Sequence, residues 1–381
     1  MKQIVLKLKV VLLLLIMLPL VGQAQKIKNE EVWDKISGYF SPPLEFRDDF
    51  GKYRSLLKFY NGDTVATQKD WNKRRAEIQS QWHSMMGKWP PFIKKQKMEV
   101  LETIRRENFT QYHIRFNWTP TEKTTAYLLV PDGKGKKPAV ITTFYEPETA
   151  VGLGKPNRDF AYQLAKRGYI TLSIGTTEAS KAGTYSIYYP SVANATVEPL
   201  SMLAYAAVNS WYLLSELPYV DKTKIGIIGH SFGGKWAMFA SCLFDKFACG
   251  VWSDPGVVFD ETKAGAVNYW EPWYLGYYPP PWQNAWRKRG DVAEAKGLYP
   301  QLIRKGHNLH EIMALMVPRP FLVSGGSSDP SYRWKALNHI VSVNQLLGQH
   351  YRVAMTNRPK HEPTTESNET AYLFFDYFLK K

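Results

Sequence analysis

Lys224-Ile225-Gly226-Ile227-Ile228-Gly229-His230-Ser231-Phe232-Gly233-Gly234-Lys235 is the stretch around which the chain is organised. Its first half is a short run of β-branched residues, the pattern of a buried strand. The run stops on Gly-His-Ser-Phe-Gly, and an Ala-, Met-, Phe- and Trp-rich helical pattern starts at Lys235. A serine between a strand and a helix sits on a sharp turn, and glycines on either side of it remove the Cβ atoms that would collide there. The helix that follows points backbone N–H groups at any oxygen that gains charge beside the serine. The spacing therefore predicts a nucleophile built for acyl transfer.

The rest of the chain supplies what such a serine needs. A hydroxyl is a poor nucleophile at neutral pH without a histidine base, and in this architecture the order along the chain is nucleophile, acid, histidine. Of the eight histidines, His361 lies in the turn-rich Thr356-Asn357-Arg358-Pro359-Lys360-His361-Glu362-Pro363, after a strand pattern at 351–355 and before the last helix. It is the expected base. The acid is open between two positions. Asp329 follows Phe321-Leu322-Val323-Ser324-Gly325, just past a strand, and is the favoured one; Asp254, in Trp252-Ser253-Asp254-Pro255, follows the preceding strand and is the rival. The oxyanion donors are expected at the N–H of Phe232 and in the loop Phe144-Tyr145-Glu146-Pro147, where Tyr145 or Glu146 supplies the second; Pro147 has no N–H to give.

Around this site the pattern is α/β. Strands are expected at 100–105, 110–118 and 125–130, then at 139–144, 169–174, 224–228, 247–252 and 320–325. Helices are expected at 159–167, 199–217, 338–347 and 370–379. Strands alternating with helices from 139 onward predict a mostly parallel, doubly wound sheet flanked by helices. Residues 25–95 read as an N-terminal helical extension, and 96–381 as one catalytic domain. Within that domain 255–310 breaks the alternation with an insertion rich in Trp, Tyr and Pro: Tyr269, Trp270, Trp273, Tyr274, Tyr277, Tyr278, Trp282 and Trp286. It emerges where strand C-termini build ligand sites, so one or two of these rings are expected at substrate and the rest in packing. Asp260 and Glu261 read as surface residues of this insertion.

Composition narrows the class. The 381 residues are 44% hydrophobic and 22% charged, which supports a large folded core. Residues 1–24 read as a signal peptide: Lys2, Lys7 and Lys9, then an apolar run over 10–21, then Gly22-Gln23-Ala24 before a cleavage point. An exported, secreted or periplasmic protein without a membrane span after cleavage is expected. The formal charge is +15, three of it from that leader. A basic exported chain suits an acidic polysaccharide, whereas nucleic acid is not expected, because the basic residues are scattered and no recognition motif is present. Cys242 and Cys249 read as two buried thiols, with a disulfide between them the open alternative. No metal-ligand spacing occurs, so neither metal nor cofactor is expected.

With elbow, acid and histidine in place, the chain resembles the secreted carbohydrate-esterase branch of the α/β-hydrolases, in particular glucuronoyl esterases and acetyl-xylan-esterase-like proteins. Gly229-His230-Ser231-Phe232-Gly233-Gly234-Lys235 resembles their serine motif, and His310-Glu311-Ile312-Met313-Ala314-Leu315-Met316-Val317-Pro318-Arg319-Pro320 resembles the run before their acid-bearing strand. The stretch from Trp71 to Pro90 is similar to their start. The resemblance implies the α/β-hydrolase fold, a Ser-His-Asp acyl-enzyme mechanism and a carbohydrate ester substrate. It implies sugar contacts at Lys235 and Trp334, and an acid after either of two strands. Trp270 and Glu271 of the insertion complete the expected substrate contacts. Glucuronoyl esterases carry arginine just after the serine where this chain has Phe232, so the ester stays open between acetyl and glucuronoyl types. The runners-up are an α/β-hydrolase of another class, such as a peptidase or a non-carbohydrate esterase, and a non-catalytic carbohydrate-binding relative.

Overall fold

The structure, a computed structural model, describes residues 29–260, 262, 269–271, 273–276 and 297–380. The expected leader, Glu261 and the rings of Tyr277, Tyr278, Trp282 and Trp286 lie outside the described residues.

A nine-stranded sheet carries these residues, in the order β1-β2-β3-β5-β4-β6-β7-β8-β9. β1 (Glu99–Arg105), β2 (Phe109–Asn117) and β3 (Lys123–Pro131) form an antiparallel meander that joins β5 (Ile170–Gly175). From there β4 (Lys137–Phe144), β6 (Val220–His230), β7 (Cys249–Ser253), β8 (Phe321–Gly325) and β9 (Val353–Asn357) run parallel. Every residue of β5, β7 and β8 is buried, because helices cover both faces. β1, at the edge, is exposed along its whole length.

Ten α-helices flank or precede the sheet among the described residues. They are α1 (29–36), α2 (Gln68–Met86), α3 (Phe160–Lys166), α4 (Thr177–Lys181), α5 (Pro199–Ser215), α6 (Phe232–Leu243), α7 (Leu298–Arg304), α8 (His310–Met313), α9 (Trp334–Leu346) and α10 (Thr365–Leu379). α6 is buried on every side, so its apolar residues do not form a stripe but fill the space around it. α5 is buried almost as fully. The segment after α2 straps over it, with the Trp89 indole donating to Ser201 Oγ and Tyr205 donating to Pro91 O.

The N-terminal extension is helical only at its ends. α2 starts on a capping box between Thr67 and Asp70, but residues 41–66 between α1 and α2 are mostly irregular. A buried polar knot fastens that irregular stretch. Glu311 on α8 accepts hydrogen bonds from Trp82 Nε1 (3.1 Å) and Arg54 Nη1 (3.2 Å), and lies 2.7 Å from His307 Nδ1. His310 Nε2 in turn meets Arg54 O at 2.7 Å.

The strand register brings the site together. Thr143 pairs with Gly229, His230 with Ser253, Ser253 with Ser324 and Gly325 with Asn357. The loops leaving β6, β7, β8 and β9 therefore start side by side, and these loops carry Ser231, Asp254, Asp329 and His361.

Candidate active site

Ser231 stands between β6 and α6 with φ 57° and ψ −114°, a conformation that a side chain adopts only under constraint. The constraint is visible in its neighbours. A Cβ on Gly233 would lie 1.8 Å from Thr143 O, and one on Gly229 would lie 2.2 Å from Gly233 O. Ser231 N donates to Ser253 O at 2.8 Å, which ties the turn to the end of β7. Ser231 is half-exposed, so its hydroxyl is accessible.

His361 bridges the serine to an acid. Its Nε2 is 2.8 Å from Ser231 Oγ and its Nδ1 is 2.6 Å from Asp254 Oδ2. The acid on the histidine is thus Asp254, and the favoured Asp329 is not there. The reason is a reciprocal exchange between two loops. Asp254, at positive φ, accepts from the backbone N–H groups of Gly326 (2.6 Å), Asp329 (2.9 Å) and Ser328 (3.2 Å) in the loop after β8. Asp329 points back, accepting from Gly256 N (2.7 Å) and Val257 N (2.6 Å) in the loop after β7, with Arg333 Nε at 3.6 Å. Each carboxylate braces the other's loop, and only one of them reaches the imidazole.

The electrostatics separate the two acids. Burial opposes the charge on Asp254, but the hydrogen bond from His361, the Ser328 N–H and the charges of His361 and Arg358 hold its carboxyl below the usual range. Burial and the neighbouring Asp254 push Asp329 up. Asp254 is therefore the carboxylate held ionised against the imidazole.

Three further side chains shape the histidine's surroundings, and none was expected from the sequence. Arg358, buried three residues before His361, donates through Nε to Glu362 O (2.8 Å), through Nη2 to His361 O (2.7 Å) and through Nη1 to Ser324 O (2.7 Å). It pins the loop to the end of β8. His230 packs its ring 4.7 Å from that of His361, with Nδ1 against Ser253 Oγ at 3.1 Å. Burial, with the charges of His361, Arg158 and Arg358 nearby, drives its pKa well down, so it stays neutral beside the His361 ring. Arg158, in the loop leading into α3, pairs with Glu362. Arg358 lies in the same short loop as His361, but nothing in a single loop arginine signals that it turns inward.

The start of α6 lies beside Ser231, where the sequence leads one to expect the oxyanion donors. The first N–H groups of a helix have no partner within it, and Phe232 is the first residue of this one. The Phe232 ring stacks on Tyr145 at 4.4 Å and 12°, bringing the loop after β4 against the elbow.

The expected sugar contacts are placed differently. Lys235 is 4% exposed; its ammonium donates to Pro255 O at 2.5 Å and lies 4.9 Å from the centre of the Tyr269 ring. Because α6 is enclosed on every side, this lysine ties the helix to the loop after β7. Trp334 is 2% exposed and packed in the core, and Trp270 is 7% exposed against Tyr299. None of these three presents a face to a ligand. Glu271 is half-buried, and its carbonyl accepts from Tyr274 N at 2.9 Å and Gly276 N at 3.3 Å. Asp260 is no free surface residue, since it accepts from Arg333 Nη1 at 2.8 Å and Tyr332 Oη at 3.2 Å. Both cysteines are buried and unbonded. Among the described residues no cluster of His, Cys, Asp and Glu is arranged to hold a metal, and no helix is long and apolar enough to cross a membrane.

Comparison with known proteins agrees with this architecture. The profile of the prolyl oligopeptidase family matches residues 206–381. No curated protein matches the sequence significantly. Among solved structures, a promiscuous CE15 esterase from a marine bacterial metagenome superposes with a TM-score of 0.64 at 16% identity, covering 86% of this chain and 98% of that one. A glucuronoyl esterase from Solibacter usitatus gives 0.63 at 18% identity, covering 85% and 97%. A putative acetyl xylan esterase from Bacteroides fragilis gives 0.54 at 16% identity, covering 82% and 80%. The chain has the α/β-hydrolase fold.

Proposed function

We propose that the protein is an exported serine esterase that removes an acyl or uronoyl group from an ester-decorated polysaccharide or oligosaccharide. The observation that carries the chemistry is the unbroken line from Ser231 Oγ through His361 to Asp254, with links of 2.8 Å and 2.6 Å. His361 takes the serine proton as Oγ attacks the ester carbonyl. The tetrahedral oxyanion is held by the N–H groups of Phe232 and Tyr145. The alkoxide leaves with the proton from His361, and the acyl-enzyme forms. Water, deprotonated by the same histidine, then releases the acid and restores Ser231. Asp254 keeps the imidazole in the tautomer with its proton on Nδ1 and stabilises the imidazolium.

The substrate class is supported by solved structures that this fold resembles, among them esterases of glucuronoyl and acetyl xylan type. The leader read at 1–24 supports export. The test is hydrolysis of p-nitrophenyl acetate, an acetylated xylo-oligosaccharide and a glucuronate methyl ester by the wild type and by Ser231→Ala. Turnover of at least one of them that is abolished in the variant is expected; absence of Ser231-dependent turnover on all three contradicts the reading. A peptidase reading has one observation in its favour, the family profile over 206–381. Cleavage of a prolyl p-nitroanilide in place of the esters would select it.

A further inference from the structure

A cleft of about 690 Å³ opens beside the site, at the C-terminal end of β5 and the adjoining start of β3. Gly175 and Thr176 line its inner end. In the strand order β5-β4-β6, Gly175 is two strands from Ser231, about 10 Å at ordinary strand spacing. The cleft and the serine are on the same edge of the sheet, where open α/β folds bind ligands.

A row of aromatic rings runs from Phe232, beside Ser231, to the segment that lines the cleft. Phe232 stacks on Tyr145, Tyr145 meets Tyr185 edge-on at 5.9 Å, and Tyr185 lies 4.9 Å from Trp273. Tyr185 is held at φ 54° within the segment that forms the outer wall of the cleft, so the backbone there is fixed in an uncommon conformation. The same segment is pinned by Thr184, whose N–H and hydroxyl both donate to Ala179 O.

The lining excludes two ligand classes. It is close to half polar, with threonines 124, 125, 176, 177 and 184 among its residues, which does not suit a lipid. Its charges are balanced: Arg115 pairs with Glu99 at 3.4 Å and Glu178 with Lys181 at 2.9 Å, while Lys123 and Glu122 are adjacent. Such a surface has no preference for a polyanion. It does retain bonding capacity. Trp118 and Ser186, both more than nine-tenths buried, line the cleft; Ser186 Oγ has no hydrogen-bond partner among the described residues, and the Trp118 indole faces the Glu122 carboxyl. Burial raises the pKa of that carboxyl, and the hydrogen bond from the indole works against the shift. Threonine and serine hydroxyls beside a carboxyl, in a neutral cleft, are groups that bind a neutral sugar ring.

We propose that this cleft is a distal subsite for a neutral stretch of glycan chain, so that the ester bond at Ser231 is presented from a polysaccharide held several residues away. The inference rests on the esterase reading for its purpose but not for its test. Binding of unesterified neutral xylo-, cello- and manno-oligosaccharides, from di- to hexasaccharide, is measured by calorimetry on the full chain. Affinity is expected to rise at least tenfold with length for one of the series, about 1.4 kcal/mol. Ala182→Trp, at an exposed position lining the cleft, should remove that gain while leaving p-nitrophenyl acetate turnover unchanged. Thr177→Ala with Glu122→Gln is the companion variant should the tryptophan perturb folding, which thermal melting reports. No length-dependent binding of any neutral series overturns the proposal. So does binding that survives both variants, or tighter binding of an acidic oligosaccharide. If glycan binding follows the prediction but no ester is turned over by Ser231, the esterase reading fails and the subsite stands.

Discussion

Asp254 and Asp329 are chemically identical side chains, each one loop beyond a neighbouring parallel strand, yet their roles differ because of where their oxygens find N–H groups. Asp254 is 2.6 Å from His361 Nδ1, whereas Asp329 is spent on Gly256 and Val257. Asp254→Asn is therefore expected to lower kcat by about 10⁴ through the wrong imidazole tautomer, with a small change in KM. Asp329→Asn leaves the tautomer alone and should cost less than about 10² in kcat, together with a lower melting temperature. Steady-state kinetics and a thermal melt on both variants separate the two roles. Lys235 gives a pH prediction at the same scale. Burial lowers its pKa to about 8, with Asp329 and Asp254 working against the shift. Between about 8 and the unfolded value near 10.4 the unfolded chain binds more protons than the folded one, so this residue's contribution to stability rises with pH. Denaturant unfolding of wild type and Lys235→Met should show the wild type gaining on the variant across that window; a constant difference would remove Lys235 as the cause.

At the scale of elements, the elbow and the β9–α10 loop are set by different means. The elbow is local. Gly229 and Gly233 are required because any Cβ there meets backbone, so Gly233→Ala should abolish folding of the elbow, seen as loss of soluble protein or of reactivity at Ser231. This is why the strand, serine and helix were legible in twelve residues. The histidine loop is held from a distance by Arg358, through carbonyls on β8 and on its own backbone. Arg358→Ala should lower kcat about 10- to 100-fold with KM for a small aryl ester nearly unchanged, since a displaced base affects the proton transfer more than binding. A proportional rise in KM would mean that Arg358 serves substrate instead. His361 itself was legible because the order of nucleophile, acid and histidine leaves few candidates. The acid was not, because both aspartates satisfy that order and only the crossed hydrogen bonds of two loops distinguish them. Lys235 and Trp334 were read as ligand contacts from motif likeness. No residue within α6 announces that the helix is enclosed, and nothing beside Trp334 announces that its ring lies on the buried face of α9.

Across the whole molecule, the parallel sheet and most of its helices follow from hydrophobic pattern alone, and the edge meander falls within a residue or two of expectation. The N-terminal extension was less legible. Its middle has no periodicity and is ordered by the knot at Glu311, whose partners are more than 200 residues away in sequence. Removing the charge centre of such a knot leaves the Trp82 indole without its acceptor and Arg54 Nη1 without its carboxylate. Glu311→Ala should therefore cost on the order of 3 kcal/mol, and expose residues 41–66 to limited proteolysis. Equal protease resistance in variant and wild type would show that the extension is anchored elsewhere. The insertion between β7 and β8 places Tyr269 and Tyr274 under α6 and Trp273 in the aromatic row. Of its described rings, Tyr269, Trp270 and Tyr274 are buried in packing and Trp273 lies beside Tyr185.

The account depends on Ser231 being a nucleophile activated by His361, and covalent labelling reads this without knowledge of the substrate. The full chain is treated with a fluorophosphonate and the tryptic peptides are mapped by mass spectrometry. The arrangement predicts a single phosphonyl group on the peptide Ile225–Lys235, at Ser231, with a labelling rate about 10³-fold or more lower in His361→Ala. Absence of an adduct, an adduct on another residue, or labelling that is indifferent to His361 would contradict it.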